Sequence, residues 1–119
     1  MLQLTVRLTA RQDRAHELVQ ALRAARRQAA GLFGCSGAHL AADLDDANAF
    51  WYVEEWPDAD EFEAQVRTTR FSQLLALIET AALPPLLEVR VVAEPRGLDY
   101  LERVSGTVRE RVSREGGVG

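Results

Sequence analysis

The chain has 119 residues, 47% apolar and 27% charged, which is the composition of one globular domain with a single core. A formal net charge of -4 argues against nucleic acid or an anionic membrane as a partner, and no apolar run reaches membrane-spanning length. One cysteine, Cys35, excludes an intrachain disulfide, and two histidines, His16 and His39, are too few for a protein-only zinc site.

All 14 basic residues are arginine, which reads as the bias of a GC-rich bacterial genome rather than as an arginine-specific function. The first residues lack the charged start and long apolar run of a signal peptide, so the expected location is the cytoplasm.

Leu2, Leu4, Val6 and Leu8 alternate with polar residues and predict a half-buried first strand. Thr9 and Gln12 have capping-box spacing. From there Ala15, Leu18, Val19, Leu22, Ala25 and Ala29 form the apolar stripe of a helix that Gly31 and Gly34 end. A second strand is expected from Cys35 to Leu44, with Asp45 to Asn48 as the following turn.

Phe50 to Trp56 packs four aromatics and a valine into a third strand, which Pro57 stops because it has no N–H for a ladder. Asp58 and Asp60 can cap a short helix to Val66, and Thr68 or Thr69 can cap another with Phe71, Leu74, Leu75 and Ile78 as its core face. Pro84-Pro85 breaks that helix, and Leu86 to Ala93 makes a last strand.

The order βαββαβ predicts an α+β, ferredoxin-like fold with a four-stranded antiparallel sheet and helices on one face. Leu2, Leu4, Val6, Leu8, Tyr52, Trp56, Leu87, Val89 and Val91 are expected under the helices. Thr5, Arg7, Trp51, Val53, Glu55, Glu88, Arg90 and Val92 are expected on the other face. That face is too aromatic to leave open, so a homodimer joined sheet to sheet is expected, with Arg7, Glu55, Glu88 and Arg90 pairing inside it. The domain is expected to span residues 1–101. The polar stretch 102–119 is expected to be a mobile tail, although Val104, Val108 and Val112 have a helical spacing that would suit docking on a partner.

Several short motifs occur here in a familiar order. Gly34-Cys35 opens the second strand, Glu55-Trp56-Pro57-Asp58 precedes the short helix, and Arg70-Phe71 opens the next. Pro84-Pro85 precedes the last strand, and Arg96-Gly97-Leu98-Asp99-Tyr100 follows it. From Leu2 to Val104 the chain thereby resembles the antibiotic biosynthesis monooxygenase family, small proteins that form dimeric α+β barrels. The resemblance implies oxidation of a phenol or hydroquinone without flavin or metal, in a pocket between sheet and helices, and hence no cofactor. Trp56 matches the tryptophan of that pocket. Several of the family's enzymes carry asparagine four residues earlier, where this chain has Tyr52. Its haem-degrading members use an asparagine late in the first strand and a helix histidine. Val6 stands in the region of that asparagine, and Gln65 and Arg70 stand where many relatives have histidines, so haem degradation by that route is not expected.

The candidate site is therefore Tyr52, Trp56 and Arg70 for substrate, with Glu54 or His39 as catalytic base. Glu54 shares a face with Tyr52 and Trp56, Arg70 falls near a helix break where a pocket mouth would lie, and His39 is the histidine on a predicted strand. Cys35 reads as packing, not nucleophile, and His16 as surface. The alternative is a non-catalytic small-molecule-binding or dimerisation module of the same fold.

Overall fold

The computed structural model describes residues 1–106. Within them β1 (Leu2–Thr9), α1 (Ala15–Ala30), β2 (Gly37–Ala42), β3 (Ala49–Trp56), α2 (Ala59–Val66), α3 (Thr69–Glu79) and β4 (Leu86–Val91) follow in that order. The sheet is antiparallel with strand order β2-β3-β1-β4, so the predicted ferredoxin-like α+β topology is what the chain adopts.

Register assigns the faces. Leu2 pairs with Trp56, Leu4 with Glu54, Val6 with Tyr52 and Leu8 with Phe50, so these eight share the helix-covered side. Leu18, Leu22 and Ala25 of α1, Phe62 of α2, and Phe71, Leu74 and Ile78 of α3 close the core over them. Phe62 packs edge-on against Trp56 at 6.1 Å between centroids and against Phe71 at 5.9 Å, which ties both short helices to the end of β3.

Helix starts follow local chemistry. The Asp58 carboxylate accepts from the Asp60 amide and caps α2, and the Thr68 hydroxyl accepts from the Phe71 amide and caps α3. The capping box expected at Thr9 and Gln12 does not form. Thr9 is still in β1, paired with Ala49, and its carbonyl accepts from the Ala82 amide. The chain reverses instead through Asp13, at φ 64°, and α1 begins after Arg14 with no side-chain cap. Similarly, β2 begins at Gly37 rather than Cys35, because Gly34 at φ 90° makes a turn that only Ser36 rejoins, its amide donating to Glu55.

The last strand departs from expectation in its cover. Leu87, Val89 and Val91 pair with Val6, Leu4 and Leu2 and so lie on the helix side, as predicted, but among the described residues no helix covers that edge and all three are exposed. Residues 98–106 form a further helix whose first half precedes, and whose second half overlaps, the stretch expected to be mobile from 102 onward. Leu98, Leu101 and Val104 on it are exposed, while Val108 and Val112 lie outside the described residues. Among the described residues no helix is long and apolar enough to cross a membrane.

Candidate functional site

Glu54 is the one buried charged residue among those described, with no exposed surface. Its position follows from strand alternation. It sits two residues from the end of β3 between Leu4 of β1 and Ala38 of β2, facing the helices with its neighbours-but-one Tyr52 and Trp56. A lone carboxylate there would cost several kcal/mol through lost hydration. Four donors compensate it. The Tyr52 hydroxyl donates to Oε2 in a short hydrogen bond, and the Trp56 indole donates to Oε1 at 3.1 Å. Arg70, reaching down from the first turn of α3, donates from Nη1 to Oε2 at 3.1 Å and from Nη2 to Oε1 at 3.3 Å. The geometry is a bidentate Arg–carboxylate pair with an aromatic donor on each oxygen.

These contacts fix the protonation of Tyr52 and Arg70. Burial, then the adjacent Glu54 carboxylate, pushes the Tyr52 phenol far above its ordinary range, so it remains a neutral donor. Burial works to lower the Arg70 pKa, but the Glu54 contact outweighs it and the guanidinium is held above its ordinary value. Glu54 itself has an acceptor site filled by each donor. It is an anchor for Arg70 rather than a base with a free lone pair.

Arg70 is also the member of the group that meets open space. It lines a cleft of about 330 Å³ between α1 and α3, walled by Ala21, Ala24, Ala25, Leu74 and Leu77 and flanked by Gln28 and Gln73. The alanines of α1 are what leave the room; larger residues there would close the two helices over it. The Arg70 Nε–H is buried and has no hydrogen-bond partner among the described residues. Tyr52, Glu54 and Trp56 form the wall behind Arg70, out of reach of the cleft.

Four of the five sequence-predicted site residues thus come together: Tyr52, Glu54, Trp56 and Arg70. His39 does not join them. It pairs with Val53 across the strands and so lies on the sheet's other face, exposed, with Nε2 3.6 Å from the Glu55 carboxylate. What sequence reasoning missed is the ion pair itself, and the small-residue cleft beside it. Glu54 and Arg70 are sixteen residues apart, and the clue was a carboxylate placed by alternation beneath a helix whose first turn offers an arginine.

The other face carries a different cluster. Asp43 accepts from the Trp51 indole at 3.2 Å and from Arg7, whose guanidinium lies 5.8 Å from the Trp51 ring centre. The Asp45 amide, then the Trp51 indole and Arg7, hold the Asp43 carboxyl below its ordinary value. Arg90 pairs with Glu88 beside it. Of the charges expected to pair across a dimer, three are already engaged within the chain, Arg7 with Asp43 and Arg90 with Glu88, while Glu55 has only His39 beside it. Cys35 donates to the Gly37 carbonyl at 3.3 Å, and burial pushes its thiol up, in keeping with a packing role. Among the described residues no three His, Cys, Asp or Glu side chains converge as a metal site would need.

A central antiparallel sheet with helices on one face, and a polar cluster held between them, defines a small α+β protein with its candidate site under the helices. Comparison with known proteins names the group. The family model described as antibiotic biosynthesis monooxygenase matches residues 1–77, and the chain belongs to that family. None of the curated proteins matches. Among solved structures, one described as an antibiotic biosynthesis monooxygenase is 19% identical, with a TM-score of 0.68 over 79% of this chain and 100% of that one. The protein PA3566 of Pseudomonas aeruginosa is 24% identical, with a TM-score of 0.66 over 78% and 94% of the two chains. For Rv0793 of Mycobacterium tuberculosis the values are 15% and 0.70, over 81% and 98%. At these identities the likeness is one of fold.

Proposed function

We propose that the protein oxidises a small phenol or hydroquinone with dioxygen, the substrate lying in the α1–α3 cleft with its oxygen against Arg70. The observation that carries the reading is the buried guanidinium. Glu54 locks it in place, and it lines a largely apolar cleft. Glu54 offsets the charge of the guanidinium, but an N–H donor held at the phenol oxygen bonds the ionised form more strongly than the neutral one, and an ionised phenol is the electron-rich form that reacts with dioxygen. The overall change balances without another reductant: a phenol and one dioxygen give a quinone and one water. Membership of the family supports this class of chemistry and the phenol substrate class; the cleft supports only where such a molecule would lie.

In this reading Tyr52 and Trp56 hold the Glu54 carboxylate that orients Arg70, and none of the three meets the substrate. They are positioning residues, and Arg70 is the binding residue. His39, on the other face, takes no part. The test is oxygen uptake with quinone formation by metal-free, flavin-free protein across a panel of phenols and hydroquinones. Uptake that falls at least about tenfold in Arg70→Gln is the expected result. No uptake with any member of the panel contradicts it.

One observation favours a second reading, that of a binding module without chemistry. Tyr52, Glu54 and Trp56 are sealed from the cleft, so no side-chain base faces the phenol and its proton must leave to water. A phenol that raises the melting temperature but is recovered unchanged under oxygen would decide for this reading.

The second copy expected at the sheet's outer face is part of the same proposal. Trp51 and Val53 are half-buried there, and neither is covered by a helix. Covering them with a symmetry-related sheet would stabilise by a few kcal/mol per subunit at about 25 cal/mol per Å². The engaged ion pairs on that face would then meet the partner as satisfied groups, not as bare charges.

A further inference from the structure

The space beside Arg70 continues along the helices. A second cleft of about 380 Å³ lies between the N-terminal half of α1 and the end of α3, and it shares Ala21 and Leu77 as walls with the first. Along α1 the lining runs from Arg14 through Ala21 to Gln28, and along α3 it runs the opposite way, from Thr80 through Leu77 to Arg70. Fourteen residues of helix at 1.5 Å each make this path about 20 Å long.

An arginine stands at each end and the middle is apolar; at the near end Arg70 is paired with Glu54. At the far end Arg14 is paired with Glu17 at 2.7 Å, which leaves Arg11 as the uncompensated charge. Arg11 donates from Nε to the Thr80 carbonyl at 3.1 Å, a contact that holds the side chain across the end of α3. Its terminal nitrogens make no hydrogen bond or ion pair among the described residues, so a planar fork of donors is presented at that end.

We propose that the two clefts are one groove, and that it takes an extended apolar molecule ending in a carboxylate, the acid at Arg11 and the body running past Ala21 and Leu77 toward Arg70. This rests on the reading of Arg70 as the phenol site and names the substrate class more closely: a phenol whose opposite end carries an organic acid. Ala21 and Leu77 form the waist between the two ends. The occupant is a carboxylic acid rather than a neutral lipid because the far end offers donors and one unneutralised positive charge.

The test separates the two ends. Decanoate and 1-decanol are titrated into the full chain and followed by amide NMR shifts, with 4-nitrophenol titrated in parallel. Decanoate is expected to move amides of Arg11, Ala21 and Leu77 together, and to bind at least about tenfold more tightly than decanol. Arg11→Gln is expected to bring decanoate down to the affinity of decanol while leaving 4-nitrophenol unchanged. Arg11 is exposed, so this variant should keep the fold. Equal binding of acid and alcohol, indifference to Arg11→Gln, or shifts confined to one cleft would overturn the proposal. Failure of decanoate with retained binding of 4-nitrophenol sinks the extended groove and leaves the Arg70 reading standing. The reverse pattern keeps the acid site and removes the Arg70 reading.

Discussion

Replacing Arg70 by Met keeps the length of the side chain and removes its charge. Glu54, with no exposed surface, would lose two of its four hydrogen bonds and its paired cation while still accepting from Tyr52 and Trp56. Stranding one member of a buried ion pair costs about 3–5 kcal/mol. The lower end applies here, because the Arg70 side chain is 13% exposed and water in the cleft can take part of its place. At about 4 °C per kcal/mol for a domain of this size, the melting temperature should fall by roughly 12 °C. Glu54→Gln should cost less, about 1–2 kcal/mol, since the stranded guanidinium can reach the cleft. The double variant, Glu54→Gln with Arg70→Met, carries no buried charge and keeps one acceptor for Tyr52 or Trp56. It should recover at least about 2 kcal/mol relative to the sum of the single variants. Urea denaturation followed by tryptophan fluorescence and circular dichroism gives all four corners of the cycle. Additivity within about 0.5 kcal/mol, or a near-silent Arg70→Met, would refute the claim that the pair is one buried unit.

Tyr52 makes stability depend on pH at the alkaline end. Its folded pKa is raised above the ordinary value of 10.0, so its contribution is complete below pH 10 and is lost as the pH rises beyond it, when the unfolded phenol ionises and the folded one does not. Stability should fall by up to about 1.4 kcal/mol per pH unit there, and Tyr52→Phe should remove that slope in denaturation curves collected from pH 9 to 12. Gly34→Ala should cost about 1–2 kcal/mol, because φ 90° strains any residue with a Cβ and that atom would strike the Glu61 carboxylate; melting curves check it. Thr68→Ala removes the cap of α3 and should cost about 1 kcal/mol in urea denaturation, with a weaker hold on Arg70 two residues later. Sedimentation should give a dimer at micromolar concentration and a monomer for Trp51→Glu; a wild-type monomer at that concentration rejects the second copy.

Much of the site could be read before the structure because it lies on one strand. Period-two alternation placed Tyr52, Glu54 and Trp56 together under the helices, and Pro57 with Asp58 marked where the strand gives way to α2. Contacts that depend on how far an element is covered could not be read that way. Alternation put Leu87, Val89 and Val91 on the correct face, but nothing in their own pattern says that α1, α2 and α3 stop short of β4. His39 shows the same limit: a residue on a strand of uncertain start can face either way, and the turn at Gly34 set the register that turns it outward. The capping-box spacing at Thr9 was overridden by pairing, since β1 keeps Thr9 in its ladder opposite Ala49. The role of Glu54 changed most. Sequence offered it as a base, and the four donors around it make it the anchor of Arg70.

Whether the cleft at Arg70 receives an ionised phenol is decided most directly by the ionisation of a bound one. With 4-nitrophenol held at a pH near its own pKa, adding protein should raise the phenolate absorbance, because an N–H donor held at the phenol oxygen bonds the anion more strongly than the neutral phenol. A shift in the phenol's apparent pKa of about one unit downward is expected, and Arg70→Gln should abolish it. No absorbance change at saturating protein, or selective binding of the neutral phenol, would contradict the account.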